Sequence, residues 1–243
     1  MNMRDDSFMR HHWNRESSKY IDGRRWSAID QRVVEHIKSF KPHNLLEIGF
    51  GSGIVAGEIK KVCPDTFYYG LDISENFIGA ANVRLGGWGK FIMGSAANPP
   101  LKTNSLDCIL EMTAIHHFPK KKIPSVVEQI SQLLKPGGEL ICVEDWAAEP
   151  QNEREELALK LRRTAGLTRN NDEYHPGDEE WKEMFLNAGL KVIKLEHDNR
   201  PLDISKISDE RNPDNSKDLK RLVQLWGSEK PVSRMSVFYC EKE

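Results

Sequence analysis

Apolar positions along the chain follow two different spacings. Short runs of consecutive apolar residues, which are typical of strands buried on both faces, occur at residues 45–48, 67–71, 91–93, 105–112 and 140–143. Between these runs, apolar residues recur every three or four positions, as on the buried side of a helix, at residues 53–61, 74–85 and 124–134. Strands and helices that alternate in this way predict parallel strands joined by right-handed crossovers.

The pattern changes after Asp145. A highly charged amphipathic stretch covers residues 149–164, and a polar loop follows at residues 170–177. Two helices and two late strands are then predicted, at residues 178–188, 218–226, 190–195 and 232–240. The fold class predicted from the whole pattern is α/β, a doubly wound and mostly parallel sheet with helices on both faces.

The first 26 residues differ from the rest of the chain. They carry charges, two histidines and two tryptophans without a clear apolar period. We therefore expect residues 1–26 to form an N-terminal arm or lid, and residues 27–243 to form one domain. Ser27 followed by Asp30 resembles the start of a helix, and the apolar residues that follow lie on one helical face.

Composition excludes several classes of protein. Lys and Arg total 35 and Asp and Glu total 37 in 243 residues, a formal net charge of −2, so no nucleic-acid partner is expected. No apolar run approaches the roughly 20 residues that span a bilayer, and no secretory signal is visible. We expect a cytoplasmic protein. The cysteines are far apart, without a CxxC pair, which argues against disulfides and structural zinc, and no metal ligands are predicted: Cys63, Cys108, Cys142 and Cys240.

The strongest local signal is a glycine-rich turn where the first predicted strand meets the first crossover helix. Its glycines are Gly49, Gly51 and Gly53, and the acidic Glu47 precedes them. Glycines here permit a tight turn and a close approach of the backbone to a ligand. The spacing is G-x-G-x-G, whereas a dinucleotide site wants G-x-G-x-x-G. An acidic residue beside the turn suits a ligand that carries an ammonium group.

A second signal is Asp72, at the end of the second predicted strand. It follows the glycines by about 20 residues, the place where an acidic side chain accepts hydrogen bonds from ribose hydroxyls. Together with Glu47, it predicts a cofactor that has a ribose and an amino-acid portion. A pyrophosphate is not required.

These residues resemble those of the class I S-adenosylmethionine-dependent methyltransferases, in particular the small-molecule, methyltransferase type 11-like group. The resemblance covers residues 28–145 well and the remainder loosely. The matching features, in order, are the turn at residues 47–53, Asp72, residues 98–101 leading to 105–107, the Ile-His-His-Phe at residues 115–118 and the Leu-Leu-Lys-Pro-Gly-Gly at residues 133–138. The resemblance implies a Rossmann-like, seven-stranded sheet whose last strand is antiparallel.

The resemblance also implies which residues hold the cofactor, S-adenosyl-L-methionine, and its product S-adenosyl-L-homocysteine. Glu47 and the glycines would hold the methionine portion, and Asp72 the ribose. Ser95 stands where related proteins have an acid that reaches the adenine, so its hydroxyl and the Ala96 amide would take that contact. The remaining implied contacts are Ile73, Glu111 and, from the N-terminal arm, Tyr20.

The methyl acceptor is expected beyond the fourth and fifth strands. His117 and His116 follow the fourth strand, where a histidine can act as a general base near neutral pH. Related proteins also use a histidine at this place for packing. Glu144 and Trp146 follow the fifth strand, and His175 begins a segment that lines the acceptor pocket in related proteins. Residues 146–231 would supply most of that pocket.

Three alternatives remain open at this stage. The acceptor is expected to be a small molecule, but an RNA or protein acceptor is a competing hypothesis, and a cofactor-binding protein without turnover is another. A nicotinamide-dependent oxidoreductase is disfavoured by the glycine spacing. Neither the acceptor nor the oligomeric state can be read from the sequence.

Overall fold

A computed structural model describes residues 6–24, 26–145, 147–168, 174–201, 213–227 and 232–243. These residues form a seven-stranded sheet flanked by helices. The strands are β1 Asn44–Ile48, β2 Phe67–Asp72, β3 Lys90–Met93, β4 Leu106–Met112, β5 Leu134–Asp145, β6 Leu190–Pro201 and β7 Val232–Lys242. The helices are α1 Asp6–Gly23, α2 Ala28–Phe40, α3 Ile54–Val62, α4 Glu75–Leu85, α5 Ile123–Leu133, α6 Glu153–Thr168, α7 Asp178–Asn187 and α8 Pro213–Trp226.

The strand order in the sheet is β3-β2-β1-β4-β5-β7-β6. The first five strands are parallel, and β7 is antiparallel to both β5 and β6. This topology confirms the predicted doubly wound sheet and its antiparallel last strand. Because β1 and β4 are neighbours although β2 and β3 intervene in the chain, a crevice opens between their carboxyl ends, where α/β proteins bind ligands.

Both faces of the sheet are buried, as the continuous apolar strands predicted. Successive side chains along a strand point to opposite faces of the sheet and so enter two separate cores. Leu45 and Leu110 pack with α2, α3 and α4 on one face, whereas Leu46 and Ile109 pack with α5 and α7 on the other. The predicted start of α2 is also confirmed, since Ser27 and Asp30 form a capping box.

Two features differ from the sequence pattern. Residues 6–23 form a continuous helix, α1, although no apolar period indicated it. The Lys-Pro-Gly-Gly sequence at residues 135–138 lies inside β5, which begins at Leu134, although proline and glycine usually interrupt a strand. The pairing of β5 with β4 is irregular at this point, because the register shifts between Leu106 and Cys108 of β4.

The helix α1 lies over the carboxyl edge of the sheet. Asn14 accepts a hydrogen bond from the Ser74 hydroxyl at 2.8 Å, beyond β2, and Asp6 accepts one from the Ser95 hydroxyl at 3.2 Å, beyond β3. Trp13 packs against the core and against His117, beyond β4. None of the helices in the described part of the chain is long and apolar enough to cross a membrane.

Candidate active site

The glycine-rich turn adopts a backbone that requires glycine. Gly49, Gly51 and Gly53 have φ angles of 65°, 56° and 70°, in the left-handed region that other residues enter at a cost. A Cβ on Gly49 would lie 2.6 Å from the Cβ of Ala114, so this glycine also permits contact between the turns after β1 and β4. At Gly51, the nearest described atom to such a Cβ would be the Gly49 carbonyl oxygen, 3.9 Å away, which leaves room beside the turn.

Asp72 joins this turn to the end of β2. Its Oδ2 accepts a hydrogen bond from the Gly51 amide at 3.0 Å, and its Oδ1 accepts one from the Ser74 amide at 2.9 Å. Burial raises the pKa of Asp72 to about 6. Each oxygen retains a second lone pair, so the carboxylate can still accept hydrogen bonds from a diol.

Glu47 is buried beneath the turn. Its Oε2 accepts a hydrogen bond from the Tyr68 hydroxyl at 2.6 Å. Burial raises the pKa of Glu47 to about 7, because the bond from Tyr68 and the charge of Arg24 only partly offset the loss of solvation. Protonation of this side chain is therefore sensitive to any cation that binds nearby.

The remaining predicted cofactor residues lie along the same edge. Ser95 bonds to Asp6 and accepts a hydrogen bond from the Ala97 amide at 3.3 Å, while Ala96 is buried and Ile73 half-buried. Tyr20, on α1, is 46% exposed, and its ring centroid lies 6.5 Å from that of Phe77 on α4.

Glu111 shapes the turn that follows β4. Its Oε1 accepts hydrogen bonds from the amides of Ala114 at 2.5 Å and Ile115 at 3.0 Å. Thr113, within the same turn, has a φ of 58°, a conformation that is costly for a β-branched residue. Burial and the charge of Glu144 raise the pKa of Glu111 to about 8. The side chain thus holds the backbone that carries both histidines.

The two histidines after β4 have different surroundings. His116 is buried, and its Nδ1 lies 2.5 Å from Oε2 of Glu144 at the end of β5. His117 is half-buried, and its ring centroid lies 4.8 Å from that of Trp13 on α1. The His117 ring therefore contacts the covering helix α1, whereas the His116 ring contacts Glu144.

His175 joins this cluster from a distant part of the sequence. The Tyr174 amide donates a hydrogen bond to the His116 carbonyl at 3.0 Å. The His175 ring stacks on that of His116, with centroids 4.7 Å apart, and its Nδ1 lies 3.2 Å from Oδ1 of Asp145. Trp146, also predicted to face the acceptor, lies outside the described residues.

Sequence reasoning missed several participants. Asp145, between the predicted site residues Glu144 and Trp146, was not itself predicted, yet its carboxylate contacts His175. The contacts that α1 makes through Asp6, Trp13 and Asn14 had no signal in the apolar pattern. The concentration of aromatic and polar side chains in an otherwise aperiodic arm was the available clue.

The left-handed glycine turn and the acid beyond β2 lie in the part of the chain that matches a known family. A family model described as "Methyltransferase domain" matches residues 46–142, from β1 to β5. Over this part, the chain is similar to the methyltransferases that the family model describes.

Two bacterial demethylmenaquinone methyltransferases are similar in sequence to this chain. The chain is 32% identical over 114 residues to the demethylmenaquinone methyltransferase of Thermotoga maritima, a match that covers 47% of this chain and about half, 48%, of that protein. It is 26% identical over 203 residues to that of Geobacillus kaustophilus, covering 76% of this chain and 86% of the relative.

One solved structure shares the fold and holds the product of the cofactor. It is the Haemonchus contortus phosphoethanolamine N-methyltransferase 2, in complex with phosphomonomethylethanolamine and S-adenosylhomocysteine. The TM-score is 0.61 at 17% identity, over 98% of this chain and 57% of that one.

The site residues of this chain fit S-adenosylmethionine, the cofactor of the methyltransferases that the chain resembles. Space beside Gly51 admits a ligand close to the backbone, and the buried Asp72 has lone pairs for two ribose hydroxyls. The turn at Gly49, Gly51 and Gly53 lies at the carboxyl edge, where the chain can hold the amino-acid portion.

Proposed function

We propose that this protein transfers a methyl group from S-adenosylmethionine to a nucleophilic atom of a small-molecule acceptor. The observation that carries the proposal is the hydrogen bond between the Gly51 amide and Asp72. This bond joins the glycine turn to the carboxylate that is proposed to bind the ribose, at the crevice between β1 and β4. The histidine turn after β4 borders the same crevice through the contact of Gly49 with Ala114.

In this proposal the chain binds the cofactor through residues on three successive strands. Asp72 accepts hydrogen bonds from the ribose, the turn at Gly49–Gly53 and Glu47 hold the methionine portion, and Ser95 and Ala96 face the adenine. Ile73, Glu111 and Tyr20 would complete the surroundings. The cofactor supplies an electrophilic methyl group on a sulfonium, so the protein mainly binds, orients and excludes water.

His117 is the proposed general base for an acceptor that must lose a proton. It lies beside the crevice, whereas the His116 ring is buried against Glu144. A base at His117 would take the proton as the acceptor atom forms its bond to the methyl group. Glu144 and His175 then act behind the acceptor, as part of the wall of its pocket.

The helix α1 is the proposed lid. It contacts Ser74, Ser95 and His117, which lie beyond three different strands. The hydroxyl of Ser95 bonds to Asp6, so an adenine that used Ser95 would displace that contact. We infer that α1 moves when the cofactor enters and then closes over it.

A small-molecule acceptor is supported by the similarity to demethylmenaquinone methyltransferases. The nearly balanced charge, −2 overall, also supplies no broad basic surface for a nucleic acid.

Cofactor binding is tested by a thermal shift with S-adenosylhomocysteine, with NAD as the control. Ligand at about 100 times its dissociation constant stabilises by roughly 2.7 kcal/mol, which raises the melting temperature by about 5–10 °C for a chain of this size. A shift with S-adenosylhomocysteine alone supports the proposal. A shift with NAD alone, or with neither ligand, contradicts it.

Methyl transfer is tested with cofactor labelled in its methyl group and a cell extract as the acceptor pool. The products are divided into an organic extract, a soluble fraction and acid-precipitable macromolecules. Label in the first two fractions supports a small-molecule acceptor. Label confined to precipitable RNA or protein contradicts that class, and absence of transfer despite cofactor binding supports a binding protein without turnover.

A further inference from the structure

A buried cluster of metal-ligating side chains lies behind the acceptor pocket. One donor atom from each of His116, Asp145 and His175 lies within 4.8 Å of the others, and we call these residues the edge triad. They come from three separate segments: the turn after β4, the end of β5 and the residues before α7. The two imidazoles are 4% and 2% exposed, and the Asp145 side chain is 16% exposed.

We propose that the edge triad is a binding site for a divalent transition-metal ion. Two imidazoles and one carboxylate are the donor set that selects zinc, iron, cobalt or nickel, whereas magnesium and calcium prefer all-oxygen sites. Three protein donors also leave a coordination position open, as in metal sites that bind a substrate or water.

The distances are compatible with this assignment. Oδ1 of Asp145 lies 3.2 Å from Nδ1 of His175, and a ring nitrogen of His116 lies within 4.8 Å of a donor atom on each of the other two residues. Metal–donor bonds of about 2.0–2.2 Å place the donor atoms of a tetrahedral site roughly 3.4 Å apart. Rotation of the side chains toward one another would bring the donor atoms to that separation.

Glu144 provides an outer partner for the site. Its Oε2 lies 2.5 Å from Nδ1 of His116, and its Oε1 accepts a hydrogen bond from the His116 amide at 3.3 Å. A proton held on Nδ1 by this carboxylate leaves the lone pair on Nε2 for a metal. Metal-binding histidines usually have such a carboxylate behind them.

The Asp145 side chain is the most exposed member of the edge triad, so the open coordination position would lie on its side of the site. An acceptor oxygen bound there would be oriented, and its proton made more acidic, by the metal. The site itself does not depend on the proposed methyl transfer, because its ligands include none of the proposed cofactor residues. Metal binding can therefore be measured without cofactor or acceptor.

The test is titration of the untagged, chelator-treated protein with Co²⁺, followed by visible absorption and by calorimetry. We expect one tightly bound ion per chain, and d–d bands of a coordinated site. Asp145→Asn and His175→Gln should weaken this binding by more than roughly 100-fold, beyond the 10–100-fold that is typical for loss of an outer partner. Glu144→Gln should fall within that smaller range.

The matched control is His197→Gln. His197 also pairs with a carboxylate, since its Nε2 lies 2.7 Å from Oδ2 of Asp178, but it lies outside the edge triad. It should bind Co²⁺ like the wild type. Circular dichroism and melting curves establish that each variant is folded. Asp145→Asn keeps the side-chain volume, so it still tests the proposal if a histidine variant does not fold. Absence of binding by the wild type, or equal binding by a folded Asp145→Asn variant, would overturn the proposal.

Discussion

The Gly51 amide donates a hydrogen bond to Oδ2 of Asp72 at 3.0 Å. This contact connects the turn after β1 to the end of β2, two features that the sequence predicted separately. It also orients the carboxylate that is proposed to hold the ribose. Because the Ser74 amide donates to the other oxygen at 2.9 Å, the side chain has a single fixed orientation at the crevice.

Replacement of this carboxylate tests the cofactor assignment. Asp72→Asn should weaken S-adenosylhomocysteine binding by at least roughly 100-fold, because hydrogen bonds to a charged group contribute about 1.5–3 kcal/mol each. Calorimetry measures the change. The control is Asp107→Asn, since Asp107 pairs with Lys135 at the opposite end of β4. Unchanged affinity in a folded Asp72→Asn variant would refute the assignment.

Glu47 gives the unliganded protein a pH-dependent stability. Its pKa is raised from the ordinary value of 4.5 to about 7, so the folded state binds a proton that the unfolded state releases. This contribution is fully present below pH 4.5 and is lost as the pH rises through 7. Between pH 4.5 and pH 7, the free energy of unfolding of the wild type should therefore fall by an amount on the order of 3 kcal/mol because of Glu47. Glu47→Gln should lack this decrease.

Urea unfolding of both proteins at pH 5 and pH 8 measures this difference. Glu58→Gln is the control, because Glu58 lies on the surface of α3 beside Lys61. It should keep the pH dependence of the wild type. If Glu47→Gln has the same pH dependence as the wild type, burial of an ionisable Glu47 does not explain the effect.

The contact between Gly49 and Ala114 predicts a second effect on stability. Gly49→Ala and Gly86→Ala both place an alanine at a positive φ, which costs roughly 1–2 kcal/mol. In Gly49→Ala the new Cβ would also lie 2.6 Å from the Cβ of Ala114, whereas no described atom lies within 4 Å of a Cβ at Gly86. This steric overlap should lower the free energy of unfolding by a further amount of about 1–3 kcal/mol. Thermal melting should therefore place Gly49→Ala below Gly86→Ala.

The double variant Gly49→Ala, Ala114→Gly separates overlap from backbone strain. Removing the Ala114 methyl group relieves the overlap and leaves the strain, so its melting temperature should recover part of the loss. Equal melting temperatures for Gly49→Ala and Gly86→Ala would show that the two turns are free to separate.

The lid proposal predicts a change in cofactor kinetics. Asn14→Ala removes the acceptor of the Ser74 hydroxyl, and loss of a hydrogen bond of about 1 kcal/mol should speed cofactor dissociation roughly fivefold. Stopped-flow fluorescence of the tryptophans reports the rate. Arg15→Ala is the control on the same helix, with a side chain that is 64% exposed. Equal dissociation rates in both variants would contradict a closing role for α1.

The order of elements and the glycine turn were predictable because both depend on local sequence. Apolar periodicity reports which face of each element is buried, and Gly49, Gly51 and Gly53 report a backbone that L-residues adopt only at a cost. Asp72 was predictable as well, since its place at the end of a strand follows from the same pattern. Ser74, at the start of the predicted helix at residues 74–85, caps α4.

The tertiary structure alone decided which distant side chains meet. His116, Asp145 and His175 converge because β4 and β5 are neighbours and because the segment before α7 returns to the same edge of the sheet. The path of α1 is likewise set by polar and aromatic contacts of Asn14 and Trp13, which leave no period in the sequence. Local patterns specify the elements, whereas the crossover connections determine what lies together at the ends of the strands.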